Sequence, residues 1–310
     1  MKKFNIKFYQ HRKIFFGISL GLFAIGLIFN LLFGTELDIN FRGGALVEYS
    51  YTGEVQQETV DQAVEDAIGR SVEVTLTDGI GNGQNSLTIS LAGSDGISLD
   101  EQKAIAENLS KSYPDIEFSL MQSSSVPPTM GTKFFAKCLV AVALAAVLLV
   151  IYVALRFRKI GGMSAGVMAV IALVHDVLMV YFTFVIFRFP IDDNFIAVVL
   201  TILGYSLNDT IVIYDRVREN RRILGPKVGY EELLDTSINQ TLTRSINTSV
   251  CTFLAVTVVF VVGTIYGLSS VTTFALPMMI GIVTGCYSSV CLAGPMYVMW
   301  QNHKLKKAEK

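Results

Sequence analysis

Six apolar stretches, each about as long as a helix needs to cross a hydrocarbon core of ~30 Å, decide what this chain can fold into. They cover residues 14–33, 133–155, 163–187, 194–214, 246–266 and 272–298. Lipid offers no hydrogen bonds to the backbone, so stretches of this kind close their N–H and C=O groups internally as helices. Composition agrees, because 16% of the 310 residues are charged against roughly 25% in soluble domains. The expected class is an α-helical integral membrane protein with six transmembrane helices. The basic start "MKKFNIKFYQHRK" is that of a secretory leader, but the apolar run after it is full length and "FNLLFGTELD" carries no small-residue cleavage signal. The first stretch is therefore read as a retained anchor.

An even number of spans puts both termini on one side, and Lys and Arg choose which. Lys2, Lys3, Lys7, Arg12 and Lys13 precede the first span; Arg156, Arg158 and Lys159 follow the second. Arg216, Arg218, Arg221, Arg222 and Lys227 occupy the segment 215–245, and Lys304, Lys306, Lys307 and Lys310 end the chain in the tail 299–310. All of these fall on the side of the N-terminus 1–13. The expected placement is a membrane crossed several times, with both termini and the loop 215–245 cytoplasmic and residues 34–132 outside; the resemblance given below makes it the bacterial cytoplasmic membrane. The net charge of −1 offers no field for nucleic acid.

The outside segment carries its own fold signals. "GALVEYSY" reads as a strand, "VQQETVDQAVEDAIG" as an amphipathic helix, and "SVEVTLT" and "SLTISLAG" as a hairpin around "DGIGNGQN". Ser98 with Glu101 forms a capping box at the start of a second helix that Pro114 ends, and "IEFSLMQ" supplies a last strand. The order β-α-β-β-α-β is that of an α+β ferredoxin-like domain. Gly43 and Gly44 in "FRGG" predict a tight turn or a close backbone approach. "SSSVPPTMG", residues 123–131, reads as a stiff connector that passes domain movement to the second span.

Ionisable groups inside spans are expensive, at ~2.5 to 3.5 kcal/mol each, so each one needs a reason. Asp209 lies in the fourth span among Tyr205, Ser206, Asn208 and Thr210. In the fifth, Gln240, Thr241, Arg244, Asn247 and Thr248 recur at helical spacing as a polar stripe that should face protein or water. The two spans are consecutive and antiparallel, which lets Asp209 and Arg244 meet at similar depth. A guanidinium does not readily deprotonate, so it serves as a fixed positive partner for a carboxyl that changes charge. His175 and Asp176 sit in the middle of the third span, but neighbours on a helix point about 100° apart, and packing and polar bridging are favoured over proton carriage for them. "GISLG", "GMSAG" and "GIVTG" permit close helix approach, and Pro277 and Pro295 bend the last span. The four cysteines, Cys138, Cys251, Cys286 and Cys291, all lie in apolar runs and no CxxC, HExxH or Walker A motif is present, so neither metal, cofactor nor nucleotide is expected. No His, Ser or Cys constellation suits an enzyme.

"LDINFRGGALVEY", "ALVHDVLMV", "GYSLNDTIVIYDRVREN" and "TRSINTS" together make the chain resemble the SecF family over nearly its whole length. It departs from the family pattern in "FRGG" for "FTGG" and "VPPTMG" for "VGPTVG". The resemblance implies a SecD-like partner in an assembly of the resistance, nodulation and division type. That assembly uses the proton motive force to draw unfolded preprotein outward from the Sec translocon. It also implies that Asp209 and Arg244 are the family's proton-relay pair. Two other readings stay open: a proton-coupled exporter of small solutes and a non-transporting translocon scaffold.

Overall fold

A computed structural model describes residues 6–69, 72–77, 85–92, 97–126, 128–225 and 227–308. The first apolar run forms one helix, α1 (Arg12–Phe33), which stops at Gly34, a residue with a φ of 73°. A single helical turn, α2 (Ile39–Arg42), leads into a small α+β unit: β1 (Gly44–Tyr51), α3 (Gln57–Ile68), β2 (Glu73–Thr77), β3 (Asn85–Ala92), α4 (Leu99–Ser112) and β4 (Ser119–Val126). The strands are antiparallel in the order β2-β3-β1-β4. Side chains alternate along a strand, so Val47 and Tyr49 of β1 share one face with their register partners Ile89 and Leu87 of β3. Val60 and Val64 of α3 and Ile105 and Leu109 of α4 are buried on that face, closing a core of their own. The capping box is formed: Ser98 Oγ accepts from the Glu101 N–H at 3.2 Å, and Glu101 Oε2 accepts from the Ser98 N–H at 2.7 Å.

The paired glycines act as expected for a close approach. Gly43 has a φ of 79° and Gly44 one of 147°, and a Cβ on Gly44 would lie 2.1 Å from the Leu91 carbonyl oxygen. The connector expected over 123–131 is not a loop. Pairing with β1 in the register Val47↔Ser123 and Gly44↔Val126 carries β4 through residue 126, and α5 (Pro128–Arg156) begins two residues later. Its residue 127 lies outside the described residues. So does the expected hairpin turn, apart from Asn85, which begins β3.

The remaining helices are α6 (Gly162–Ile186), α7 (Asp193–Leu224), α8 (Tyr230–Ile265), α9 (Ser269–Ser288) and α10 (Gly294–Ala308). A single π-helical turn, Ser289–Ala293, joins α9 and α10 into one rod. With α1, α5, α6, α7 and α8 this rod makes six helices long and apolar enough to cross a membrane. Their burial is uneven. The apolar windows of α6, α7 and the α9–α10 rod are 56%, 56% and 61% buried, whereas those of α1, α5 and α8 are 11%, 6% and 11%. Three helices therefore form the middle and three the rim.

Small residues set the inner spacing. A Cβ on Gly281 would meet Ile202 at 2.7 Å, one on Gly285 would meet Ser206 at 3.0 Å, and one on Gly162 would meet the Ala154 carbonyl oxygen at 2.2 Å. "GISLG" behaves otherwise, since Gly17 and Gly21 face open space. The close contact on α1 is Gly26, against the Phe182 ring. Pro295 has no N–H to give the carbonyl four residues back, and the chain there is wound as the π turn.

Residues 215–245, expected as a loop, are helical except around 225–229. Once outside hydrocarbon a helix needs no apolar surface, only partners. Arg216 pairs with Glu219 at 2.5 Å, and Asn220 Nδ2 donates to Ser237 Oγ at 2.9 Å and Gln240 Oε1 at 2.8 Å. The extensions of α7 and α8 thus bind each other.

The α+β unit is fastened to the bundle at the start of α7. Leu37 bridges Ile191, the Asp38 N–H donates to the Ile191 carbonyl at 3.1 Å, and the Ile191 N–H donates to the Glu36 carbonyl at 2.8 Å. Asp192 caps α7 by accepting from the Phe195 N–H at 3.1 Å. Burial pushes the Asp192 carboxyl up to about 6, with the charges of Asp38 and Asp193 adding to it. A carboxyl raised on folding contributes stability while it stays protonated, and that contribution is lost as pH rises through the folded value. Asn keeps the cap without charging, so Asp192→Asn should melt above the wild type near pH ~7.5 and lose that advantage toward pH ~4. Thermal unfolding of the purified chain in detergent reads this, and an advantage confined to low pH would contradict it.

Candidate functional site

Helix α7 presents a polar seam to its neighbours. Ser206, Asp209, Thr210, Ile213, Val217 and Asn220 recur at three and four residues and are all buried, so this face is the inward one. Two carboxylates sit at this level of the bundle, one on α6 and one on α7, and their surroundings differ.

Asp176 of α6 is fully buried and fully met. Its Oδ2 accepts from Ser206 Oγ of α7 at 2.6 Å and from Ser288 Oγ of α9 at 2.7 Å, and its Oδ1 lies 3.0 Å from His175 Nδ1. One carboxylate therefore ties three inner helices together. A second tier sits beside it. Ser289 Oγ donates its one proton to the Ser206 carbonyl at 3.0 Å, so it accepts from Thr210 Oγ at 2.8 Å. The π turn begins between Ser288 and Ser289, and both successive hydroxyls bond inward. His175 is less complete, since its Nε2 is buried without a partner among the described residues. Phe23 of α1 lies over its ring at 5.2 Å.

Asp209 of α7 is 3% exposed but not satisfied. Ser245 of α8 faces it, yet neither Asp209 Oδ2 nor Ser245 Oγ completes a hydrogen bond of good geometry among the described residues. Cys286 of α9 is near enough to feel its charge. Arg244 also bears on Asp209 through space, but it lies exposed on α8 and no ion pair within 4 Å joins them. The structure therefore brings Asp209 against α8 and leaves Arg244 beside the contact rather than in it.

Of the polar stripe expected on α8, Thr241 lies on the buried face and the other members do not. Gln240, Arg244 and Asn247 are exposed and Thr248 is half-buried, whereas the buried seam runs Ser237, Thr241, Ser245, Ser249. Each residue turns a helix by about 100°, so a stripe read one residue off points away from the neighbour. On α7, Thr210 is buried and Asn208 is exposed. The residues missed are hydroxyls: Ser245 and Ser249 on α8, Ser288 at the end of α9 and Ser289 just past it. The strict four-residue spacing of 237, 241, 245 and 249 was a signal for the first two. Ser288 and Ser289 had none, because the π turn that aims them is a local backbone event. Among the described residues no group of His, Cys, Asp and Glu is placed to hold a metal ion.

Residues 105–303 match the model of the family described as protein export membrane protein SecD/SecF, C-terminal. The SecF protein translocase subunit of Sebaldella termitidis is 33% identical over 99% of this chain and 96% of its own length. The SecDF subunit of Bacillus subtilis is also 33% identical over 97% of this chain, which spans 39% of that longer protein. The crystal structure of SecDF from Thermus thermophilus, a translocon-associated membrane protein, superposes with a TM-score of 0.81 at 27% identity. It covers 96% of this chain and 39% of its own. A helical membrane bundle with an inserted α+β unit is the class that fold and site define. The chain belongs to the SecD/SecF family of protein export membrane proteins, and is a multi-pass bacterial membrane protein.

The contrast between the two carboxylates is open to test. Ser288→Ala leaves Asp176 short of a donor and should lower stability by about 1–3 kcal/mol. Asp209→Asn should leave the melting temperature near that of the wild type, because the lost oxygen had no bond. Thermal unfolding of both variants in one detergent decides it, and an unchanged melt for Ser288→Ala would remove Asp176 as the tie.

Proposed function

We propose that the chain is a SecF-type accessory subunit of the Sec translocase that works with a SecD-like half and takes up protons on Asp209 to drive preprotein export. The single observation that carries this reading is the unmet Asp209 Oδ2 in a bundle whose other carboxylate is saturated with donors. A group that must change charge in hydrocarbon is poorly served by a full set of donors, because they would hold it ionised. Asp209 has room for either state. When neutral, its O–H can donate to Ser245 Oγ; when charged, it draws the Arg244 guanidinium toward the contact of α7 with α8. Protonation then alters how these two helices bind each other, which is what a proton-relay pair requires. One charge crossing 100 mV yields ~2.3 kcal/mol, enough to bias a two-state bundle.

Exposed polar groups support a second half. Asn208 and Asn247 lie exposed on α7 and α8 within the apolar stretches 194–214 and 246–266, where hydrocarbon would penalise them, and Arg244 is exposed two residues before the second stretch. A SecD-like bundle over that face would meet them with protein. The SecDF relatives, in which this chain's equivalent is about two-fifths of a longer protein, are consistent with such a pairing. Preprotein and the translocon channel are the assembly's further partners in this reading.

Orientation follows from the basic residues, which gather at the ends of α5, α7 and α10 and before α1, and so face the cytoplasm together with both termini. The α+β unit then lies outside. Its β-α-β-β-α-β order and the antiparallel β2-β3-β1-β4 sheet support a ferredoxin-like domain. Leu37, Asp38 and Ile191 link that domain to the start of α7. A shift of α7 against α8 would reach the domain by this short route, with no need of the connector to the second span.

In a strain that depends on this gene, Asp209→Asn should reduce preprotein export to the level of the deletion while the protein accumulates normally. Asp209→Glu, which keeps the ionisable group, should retain part of it. Wild-type export from Asp209→Asn would remove the proton-carrier role and leave the scaffold reading.

A further inference from the structure

We propose that the face formed by α1, α6 and α10 holds one anionic phospholipid, with an acyl chain in an apolar trough and the phosphate at a basic mouth. The trough has a volume of about 860 Å³ and is walled by Phe16 and Leu20 of α1, Ile171 and Val174 of α6, and Met299 and Trp300 of α10. Its lining on α6 runs from Met168 to Leu178. At ~1.5 Å per residue those ten steps span about 15 Å, half of a ~30 Å hydrocarbon core. The trough is thus as long as one leaflet is thick. It passes His175, in the middle of α6, and ends at Leu178.

A polar basin of about 620 Å³ adjoins the other end and shares Met299 and His303 with the trough, so the two form one continuous depression. Arg12, His303 and Lys306 line the basin together with a single acid, Glu231. Glu231 is already engaged, accepting from Asn302 Nδ2 at 3.2 Å. The Arg12 guanidinium is held in place over the Tyr9 ring at 4.1 Å while donating to the Tyr9 carbonyl at 2.9 Å. Ion pairs among the described residues use Arg156, Arg188, Arg216 and Arg218, and none includes Arg12 or Lys306. A held Arg12 and an exposed Lys306, neither with a carboxylate partner among the described residues, stand where an apolar trough of one leaflet's length opens and match a phosphodiester on an acyl tail. Arg12 is the first residue of α1 and Lys306 lies in the last turn of α10, so the mouth lies at the bundle end remote from the α+β unit. The orientation given above makes this the cytoplasmic leaflet. The site itself does not depend on the proton reading. Its occupant would close the trough beside the His175–Asp176 pair.

The full chain in phosphatidylcholine vesicles, given a trace of phosphatidylglycerol with a diazirine midway along one acyl chain, tests the site by photolabelling and peptide mapping. Label should concentrate on residues 16–23, 168–178 and 292–303 rather than on the equally exposed faces of α5 and α8. Unlabelled phosphatidylglycerol should displace it and unlabelled phosphatidylcholine should not. The double variant Arg12→Gln, Lys306→Gln should lower this headgroup preference by roughly an order of magnitude, since each basic residue near the surface adds attraction. It should still accept a phosphatidylcholine label in the trough, which shows that it has folded. Uniform labelling of all outward faces would overturn the proposal, as would equal competition by the two lipids. A trough that crosslinks to another polypeptide in native membranes would overturn it too.

Discussion

A carboxylate buried among apolar helices can be kept only if protein supplies the hydrogen bonds that water would have given. Asp176 meets that condition with donors from its own helix and two others, and the packing of the bundle is consistent with it. Gly285 lets α9 approach until Ser206 is in contact, which sets the two serine hydroxyls within reach of one oxygen. Gly281 does the same one turn away at Ile202. The π turn ahead of Pro295 then aims consecutive residues inward, where a regular helix would separate them by about 100°. Losing one of these donors would leave a buried carboxyl oxygen short of a partner, at a cost of about 1–3 kcal/mol.

Against that fixed centre, α7 has a second carboxylate of different character. Asp209 faces a rim helix, α8, whose spanning window is 11% buried. An inner helix held on one side by Asp176 and touching a rim helix on the other through an unmet oxygen has one stiff contact and one soft one. Movement belongs at the soft one. The N-terminal end of α7 is in turn tied by backbone bonds to the segment that opens the α+β unit. The same helix thus touches Asp176, carries Asp209 and meets the α+β unit.

Much of this was legible in the sequence because it depends on periodicities that hydrocarbon enforces. The six apolar runs, the strand at 44–51 and the capping box at Ser98 are local patterns with one solution each. The close approach at Gly44 followed from the pair of glycines, and the placement of two polar acids inside spans flagged Asp176 and Asp209. What failed was non-local. β4 extends through Val126 because β1 is there to pair with it, which no property of "SSSV" announces. Helices α7 and α8 run past the membrane because each supplies the other with polar partners. The α8 stripe was misplaced because polar residues are dense around it, and only the contact with α7 distinguishes Ser245 from Arg244. For Asp176 polar bridging was expected, but not its partners, because Ser206 and Ser288 reach it from 30 and 112 positions away.

The central claim is that Asp209 changes protonation inside the folded bundle while Asp176 does not. Difference infrared spectroscopy on the chain reconstituted with its SecD-like half, stepped in pH, measures this through the C=O stretch of protonated carboxyls. The account predicts a band that appears on acidification, persists when Asp176 is replaced in a variant that still folds, and vanishes in Asp209→Asn. A band that survives in Asp209→Asn, or none in the wild type, would contradict it.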